Sequence, residues 1–229
     1  ERFHGNPSSK LKLVGVTGTN GKTTIAWLIR HLVSSSGIKC GMLGTIVCDD
    51  GVATDTSTLT TPSFCDIGLI LHSMVDNGCK VAVMECSSHA LDQGRVAALD
   101  FDIGVFSNLS GDHLDYHGSA DSYLQAKMRL FDLVSETAII NMDDPASWSV
   151  ADCTSAKVIS CRIESDASNA WVEILEEKID GSDIRLHGAW GIIELNLPLL
   201  GRHNAINALQ AVAVAFSLGI TKEAIADAL

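Results

Sequence analysis

The sequence predicts an α/β fold: a mostly parallel sheet with helices on both faces and an antiparallel strand extension. Three observations carry this. Short apolar runs alternate with helical patterns over the first 160 residues. The first run empties into a glycine-rich loop, Gly18-Thr19-Asn20-Gly21, and Lys22-Thr23-Thr24 opens the helix behind it. After residue 160, strand patterns follow one another with hairpin turns such as Asp180-Gly181 between them.

Lys12 to Val16 is the first strand, and Ile25, Leu28, Ile29, Leu32 and Val33 give the next helix its apolar stripe. Ser34-Ser35-Ser36-Gly37 stops it. Cys40 to Val47 reads as one strand, followed by an Asp49-Asp50-Gly51 turn. Ser63 and Asp66 form a capping-box pattern for a helix whose apolar face is Ile67, Ile70, Leu71, Met74 and Val75, ending at Asn77-Gly78. Val81 to Met84 and Phe101 to Phe106 are buried strands. Ser119 caps a helix through Phe131, Thr137 to Asn141 is a strand, Asp143-Asp144-Pro145 a turn, and Lys157 to Cys161 a further strand. Trp171 to Glu177, Asp183 to His187 and Gly191 to Leu197 make up the antiparallel extension. Gly201-Arg202-His203-Asn204 opens a helix to Leu218, and Thr221 starts another.

Bulk composition narrows the function classes. At 46% hydrophobic and 19% charged, the 229 residues can bury a sizeable core. A net charge of -12 argues against a nucleic-acid or membrane-surface partner. The seven cysteines are odd in number and form no Cys-x-x-Cys pair, as expected of reduced thiols in a cytoplasmic setting. No apolar run approaches the length of a membrane span. Residues 1–10 are polar and read as a linker entering a domain over 11–229.

Chemistry concentrates where strands end. In an open α/β sheet, ligands bind outside the carboxyl ends of the strands. The loop after the first strand can cradle phosphate with its backbone N–H groups and the helix N-terminus. Lys22 can reach the terminal phosphates and the Thr23 hydroxyl can ligate magnesium. The strict phosphate-loop spacing asks for glycine where Val16 stands, so the loop is a variant. Glu85, at the end of another strand, supplies the hard oxygen that magnesium needs. His113, with Asp112, Asp115 and His117 beside it, follows a further strand on the same edge; such a cluster can also be a solvated loop. Lys127, mid-helix, reads on its own as a surface charge. Thr60 and Thr61 precede a helix N-terminus, and Ser87, Ser88, Gln93 and Arg95 form a polar group after Glu85 in which Arg95 could pair with an anionic substrate. Asn204 and Asn207 share a helix face, suited to reading adenine or to capping the helix.

Gly18-Thr19-Asn20-Gly21-Lys22-Thr23-Thr24 resembles the ATP loop of the Mur ligases, the amide-forming synthetases of bacterial peptidoglycan. The loop alone also suits folylpolyglutamate and cyanophycin synthetases. More specific are Met84 to Val96 (MECSSHALDQGRV), Asn108 to Gly118 (NLSGDHLDYHG) and Thr60-Thr61-Pro62, which are similar to the tripeptide-forming branch, MurE type. The resemblance implies a P-loop ATPase-like central domain in which Gly18 through Thr24 hold the ATP phosphates, with Lys22 on the transferred group. It implies that Thr23 and Glu85 bind one magnesium ion. His113 and Lys127, the latter carbamylated by carbon dioxide, would bind a second. Thr60, Thr61, Ser87, Gln93 and Arg95 would contact the UDP-MurNAc-dipeptide, and Asn204 and Asn207 the adenine. The implied acceptor is a diamino acid, meso-diaminopimelate or L-lysine, and the implied protein is a cytoplasmic monomer.

Gly201-Arg202-His203-Asn204-Ala205-Ile206-Asn207 looks closer to the sister ligases. The resemblance covers the central domain alone, so the expectation is a domain cut from a longer enzyme, with an N-terminal uridine-nucleotide domain and a C-terminal amino-acid domain outside it. Such a piece should bind Mg-ATP weakly and make no tripeptide. Two other classes compete. A non-catalytic Mur-like scaffold would have no need of Lys22, Glu85, His113 and Lys127 together. A GTPase-like switch would carry an Asn-Lys-x-Asp base motif, which is missing here.

Overall fold

The computed structural model describes residues 5–229. Eleven strands form one sheet: β1 (Lys12–Thr17), β2 (Cys40–Leu43), β3 (Val47–Asp49), β4 (Thr54–Thr56), β5 (Val81–Glu85), β6 (Phe101–Phe106), β7 (Val134–Asn141), β8 (Lys157–Ile163), β9 (Ala170–Glu177), β10 (Ser182–Gly188) and β11 (Gly191–Leu197). Their order across the sheet is β11-β10-β9-β8-β7-β6-β1-β5-β2-β3-β4. Pairing is parallel from β2 through to β9, and antiparallel at both edges. β1 lies between β5 and β6, with Val16 level with Glu85 on one side and Val105 on the other.

The helices are α1 (Lys22–Ser35), α2 (Phe64–Asp76), α3 (Ser88–Asp92), α4 (Leu114–His117), α5 (Ala120–Met128), α6 (Ser147–Cys153), α7 (Arg202–Ser217) and α8 (Lys222–Ala228). Alternation along the central strands sends side chains to two cores, one on each face. Val14 and Val16 join Ile25 and Ile29 of α1 and Ala208, Val212 and Ala215 of α7. Leu13 faces the other way, into the core holding Ile67 and Leu71 of α2, Leu91 of α3 and Val150 of α6. The helices therefore cover both faces, as the alternation predicts. Ser63 caps α2 as its pairing with Asp66 predicts, its hydroxyl accepting from Asp66 N and donating to the Asp66 carboxylate.

The elements depart from expectation in several places, the short helices α3 and α4 among them. The strand expected over Cys40 to Val47 breaks after Leu43, because Gly44 N donates back to Val47 O and turns the chain into an antiparallel ribbon. β4 is fully exposed, so its Thr-Asp-Thr shows no alternation. The helix expected through Phe131 ends at Met128 and continues as a 3-10 turn, Phe131–Leu133. α6 follows the Asp143-Asp144-Pro145 turn unannounced, burying only Ser147 and Val150. Of the linker expected over 1–10, residues 1–4 lie outside the described residues; Pro7–Lys10 form a 3-10 turn with Pro7 and Ser8 buried. All seven cysteines are free, and Cys40, Cys79, Cys86 and Cys161 are buried. Burial pushes the Cys86 and Cys161 thiols far up, so they stay protonated. Among the described residues no helix is long and apolar enough to cross a membrane.

Candidate active site

The loop between β1 and α1 is held by Ser107 and Asn108. Thr19 N donates to Asn108 O (2.8 Å), Asn20 N to Asn108 Oδ1 (3.0 Å), and Ser107 Oγ to Asn20 O (2.6 Å). Ser107 and Asn108 follow β6 directly, so the neighbouring strand fixes the loop. Gly18 and Gly21 both have positive φ, 138° and 88°. A Cβ at Gly18 would collide with Ser107 Oγ, and one at Gly21 would lie 2.6 Å from Asn207 Oδ1. Only glycine suits either position. Gly21 is also the N-cap of α1 and brings no side-chain oxygen to its first turn, leaving those amides to an anion. Gly18→Ala should therefore destabilise the fold by about 2 kcal/mol. Thermal denaturation should read this as a midpoint about 4–8 °C lower; an unchanged midpoint would mean that the loop yields freely.

Two lysines converge on this loop. Lys22 Nζ donates to Gly18 O (3.0 Å) and Thr19 O (2.8 Å). Lys127 Nζ donates to the same Gly18 O at 2.8 Å. Lys127 is fully buried, and its Nζ lies 4.2 Å from the centroid of the Tyr123 ring. Burial and then the neighbouring Lys22 charge lower the Lys127 pKa to about 7, against a pull upward from Asp112. Burial lowers Lys22 as well, offset by Glu85 and Asp112. Lys127 is thus not the surface charge that its sequence position alone suggests.

Glu85 ends β5 fully buried. Its Oε2 accepts from Thr23 Oγ1 (2.9 Å) and from Thr45 Oγ1 (2.9 Å), and its Oε1 from Thr45 N (2.9 Å). A magnesium ion prefers such hard oxygens, and the Thr23 hydroxyl and the Glu85 carboxylate are close enough to share one. His113 is placed differently. It is half-exposed, in the left-handed region at φ 52°, and begins α4. Its ring lies edge-on to His89 (4.9 Å) and Tyr123 (6.2 Å). The buried Tyr123 ring therefore touches both His113 and Lys127, and its hydroxyl shares a hydrogen bond with Thr19 Oγ1 (3.2 Å). Among the described residues, no group of three or more His, Cys, Asp or Glu side chains could hold a metal ion.

The five expected substrate contacts form one network. Thr61 Oγ1 donates to Glu85 O (2.7 Å) and accepts from Ser87 N (2.9 Å). Arg95 Nη1 donates to Thr61 O (2.8 Å), while its Nε and Nη2 hold Gln93 Oε1 (3.0 and 2.6 Å). Thr60 Oγ1 meets Thr45 Oγ1 at 3.2 Å. Ser87 also caps α3 through Ala90 N. Thr24 is half-buried on the first turn of α1. Asn207 Nδ2 donates to Asn204 Oδ1 (3.2 Å) and Asn204 Nδ2 to Leu200 O (2.9 Å), so the pair shares a face beside Gly21. The capping alternative is not what forms, since Gly201 is the N-cap of α7 and has no side chain to cap with.

Sequence reading overlooked Thr45, Tyr123 and Asp144, whose Oδ2 accepts from Leu109 N (2.7 Å) and steadies the segment after β6. Tyr123 stands four residues before Lys127, a helical spacing that could have paired them.

A glycine loop pinned between strands, a first-turn lysine and threonine, and a buried carboxylate on the adjacent strand define an α/β domain of P-loop architecture. The chain belongs to the Mur ligase family: residues 16–215 match the Mur ligase middle domain. It is 42% identical over 222 residues to a UDP-N-acetylmuramoyl-L-alanyl-D-glutamate–2,6-diaminopimelate ligase of Parabacteroides distasonis, covering 95% of this chain and 44% of that protein. The ligase of the same name from Geobacter metallireducens is 40% identical over 231 residues, covering 97% and 45%. A solved structure of a ligase of that name superposes with a TM-score of 0.83 at 32% identity, over 95% of this chain and 45% of that one. MurF from Acinetobacter baumannii (TM-score 0.79, 21% identity, 99% and 47% covered) shares the fold, as does a folylpolyglutamate synthase of Mycobacterium tuberculosis (0.75, 18%, 99% and 60%). The chain spans about half the length of the curated relatives it matches.

Proposed function

We propose that this chain is the ATP-handling part of an ADP-forming amide ligase of peptidoglycan precursor synthesis. The ligase adds a diamino acid to UDP-MurNAc-L-Ala-D-Glu. The observation that carries this reading is the convergence of Lys22 and Lys127 on the Gly18 carbonyl, beside the Thr23–Glu85 pair. Support for diaminopimelate over L-lysine as the acceptor comes from the names of the 36–42% identical relatives, which are 2,6-diaminopimelate ligases.

The carboxylate ending the dipeptide is a poor acyl donor. It attacks the terminal phosphorus of ATP, releasing ADP and forming an acyl phosphate. The incoming amine then adds to the carbonyl carbon, loses a proton and expels phosphate. Gly18 through Thr24 hold the triphosphate through backbone amides, and Lys22 exchanges its two carbonyl acceptors for phosphate oxygens. Asn204 and Asn207 take the adenine, and Thr60, Thr61, Ser87, Gln93 and Arg95 take the UDP-MurNAc-dipeptide. Thr23 and Glu85 would hold one magnesium ion, which offsets charge on the phosphoryl group.

As an ammonium, Lys127 cannot bind a second cation. With a pKa near 7 it has a large neutral fraction at physiological pH. The neutral amine adds carbon dioxide and releases a proton, giving a carbamate whose oxygens suit a second magnesium ion alongside His113.

The test is an ADP-release and amide-formation assay on the full-length gene product. The substrates are ATP, the UDP-MurNAc-dipeptide, and meso-diaminopimelate or L-lysine. ADP release and a new amide that both depend on the dipeptide and on meso-diaminopimelate are expected. No amide with either diamino acid would overturn the reading.

A further inference from the structure

We propose that Thr45 is a positioning residue that aims the Glu85 carboxylate at Thr23 and so sets how much magnesium the domain requires. The inference rests on the reading of Glu85 as a magnesium ligand.

Thr45 grips both oxygens of one carboxylate. Its backbone N–H reaches Oε1 and its hydroxyl reaches Oε2, each at 2.9 Å. A carboxylate held at a single point still turns about its side-chain bonds. One held at both oxygens has its plane fixed, and Oε2 then also meets Thr23 Oγ1 at 2.9 Å. The main chain before Thr45 is pressed onto the same group, since a Cβ at Gly44 would collide with Glu85 Oε1. Topology supplies this closeness. β2 runs parallel to β5 with Leu43 level with Met84, so the residues after each strand emerge side by side. The turn from β2 into β3 holds Thr45 there through Gly44 N and Val47 O (3.0 Å).

The hydroxyl also links two parts of the site. Thr45 Oγ1 lies 3.2 Å from Thr60 Oγ1. A hydroxyl has one proton to give and two lone pairs to accept with. Thr45 Oγ1 stands as the donor to both Thr60 Oγ1 and Glu85 Oε2, so its single proton serves one of them at a time. The loop proposed to contact the dipeptide thereby shares a donor with the group proposed to hold the metal. Thr45 is solvent-exposed. Replacing its hydroxyl by a methyl removes that hydrogen bond without opening a hole in the core and leaves the backbone N–H in place.

The experiment is a magnesium titration of the ADP-forming rate of the full-length gene product, with ATP and dipeptide saturating. Thr45→Val should raise the magnesium concentration at half-maximal rate about tenfold, the scale seen when a group that orients a metal ligand is lost. Thr45→Ser should bring it back to within about twofold of the parent on the same scale. Thermal melting verifies that the variants fold, and Thr45→Ala stands in should the valine variant not. An unshifted titration in Thr45→Val, or a serine variant as defective as the valine one, overturns the proposal. Glu85→Gln separates the two claims. If it shifts the titration and Thr45→Val does not, only the role of Thr45 fails. If Glu85→Gln leaves magnesium demand unchanged, the ligand reading fails and the proposal with it.

Discussion

Lys127→Ala in the full-length gene product should lower the rate of amide formation by about 10³-fold, and added bicarbonate should not restore it. The side chain is fully buried, bonded to the phosphate loop at Gly18 O and set against the Tyr123 ring. No neighbouring lysine of the described residues shares that position except Lys22, which is committed to the loop itself. The wild-type protein should show a carbamate carbon signal by NMR in ¹³C-bicarbonate, and the variant should lack it. The signal should grow as pH rises through about 7, because the protonated amine below that value does not add carbon dioxide. Stability carries the same signature in buffer free of carbon dioxide. The folded pKa lies below the unfolded value of 10.5, so between about 7 and 10.5 the unfolded chain binds more protons. Stability should therefore rise with pH across that window, and Lys127→Ala should flatten the rise. A variant that keeps the parental rate would remove Lys127 from the chemistry.

Lys22→Met should lower the ADP-forming rate by about 10²–10³-fold, the scale expected when one group stabilising the transferring charge is removed. Its ammonium already points into the loop, on the carbonyls of Gly18 and Thr19. A triphosphate seated there replaces weak acceptors with strongly charged ones. Methionine keeps the length of the stem and removes the charge. Because Lys22 is desolvated in the folded chain, its removal should not lower the thermal midpoint. A coupled assay for ADP, run beside thermal melting, separates the two effects. A rate within threefold of the parent, on a scale where about 10²-fold is expected, would place the phosphate grip elsewhere.

Much of this candidate site is legible in the sequence. The loop, Lys22, Thr23 and Glu85 follow from one rule, that ligands gather at the carboxyl ends of parallel strands. Lys127 could not be judged that way. A lysine on a helix carries no local mark of burial; Lys127 is buried in the last turn of α5, against the loop at Gly18 and the Tyr123 ring. Thr45 was hidden for a related reason. Cys40 to Val47 reads as one strand, and an uninterrupted strand would put Thr45 within the ladder instead of in the turn beside Glu85. The edge ribbon and α6 were missed because they lack the periodic apolar pattern that betrays an element: β4 is exposed throughout, and α6 buries two residues of seven.

The place of β1 within the sheet has a consequence for variation. Thr23, Glu85 and Ser107-Asn108 stand at or just beyond the ends of three adjacent strands, so they span about two strand spacings, roughly 10 Å. The distances among these residues are set by β5, β1 and β6. The hairpins of β9, β10 and β11 and the ribbon of β3 and β4 end the sheet on its two sides. The margin of β9, β10 and β11 can lengthen, shorten or take up new surface chemistry without changing the spacing of these three strands, whereas a one-residue slip in β1 would turn every side chain of the strand to the opposite core.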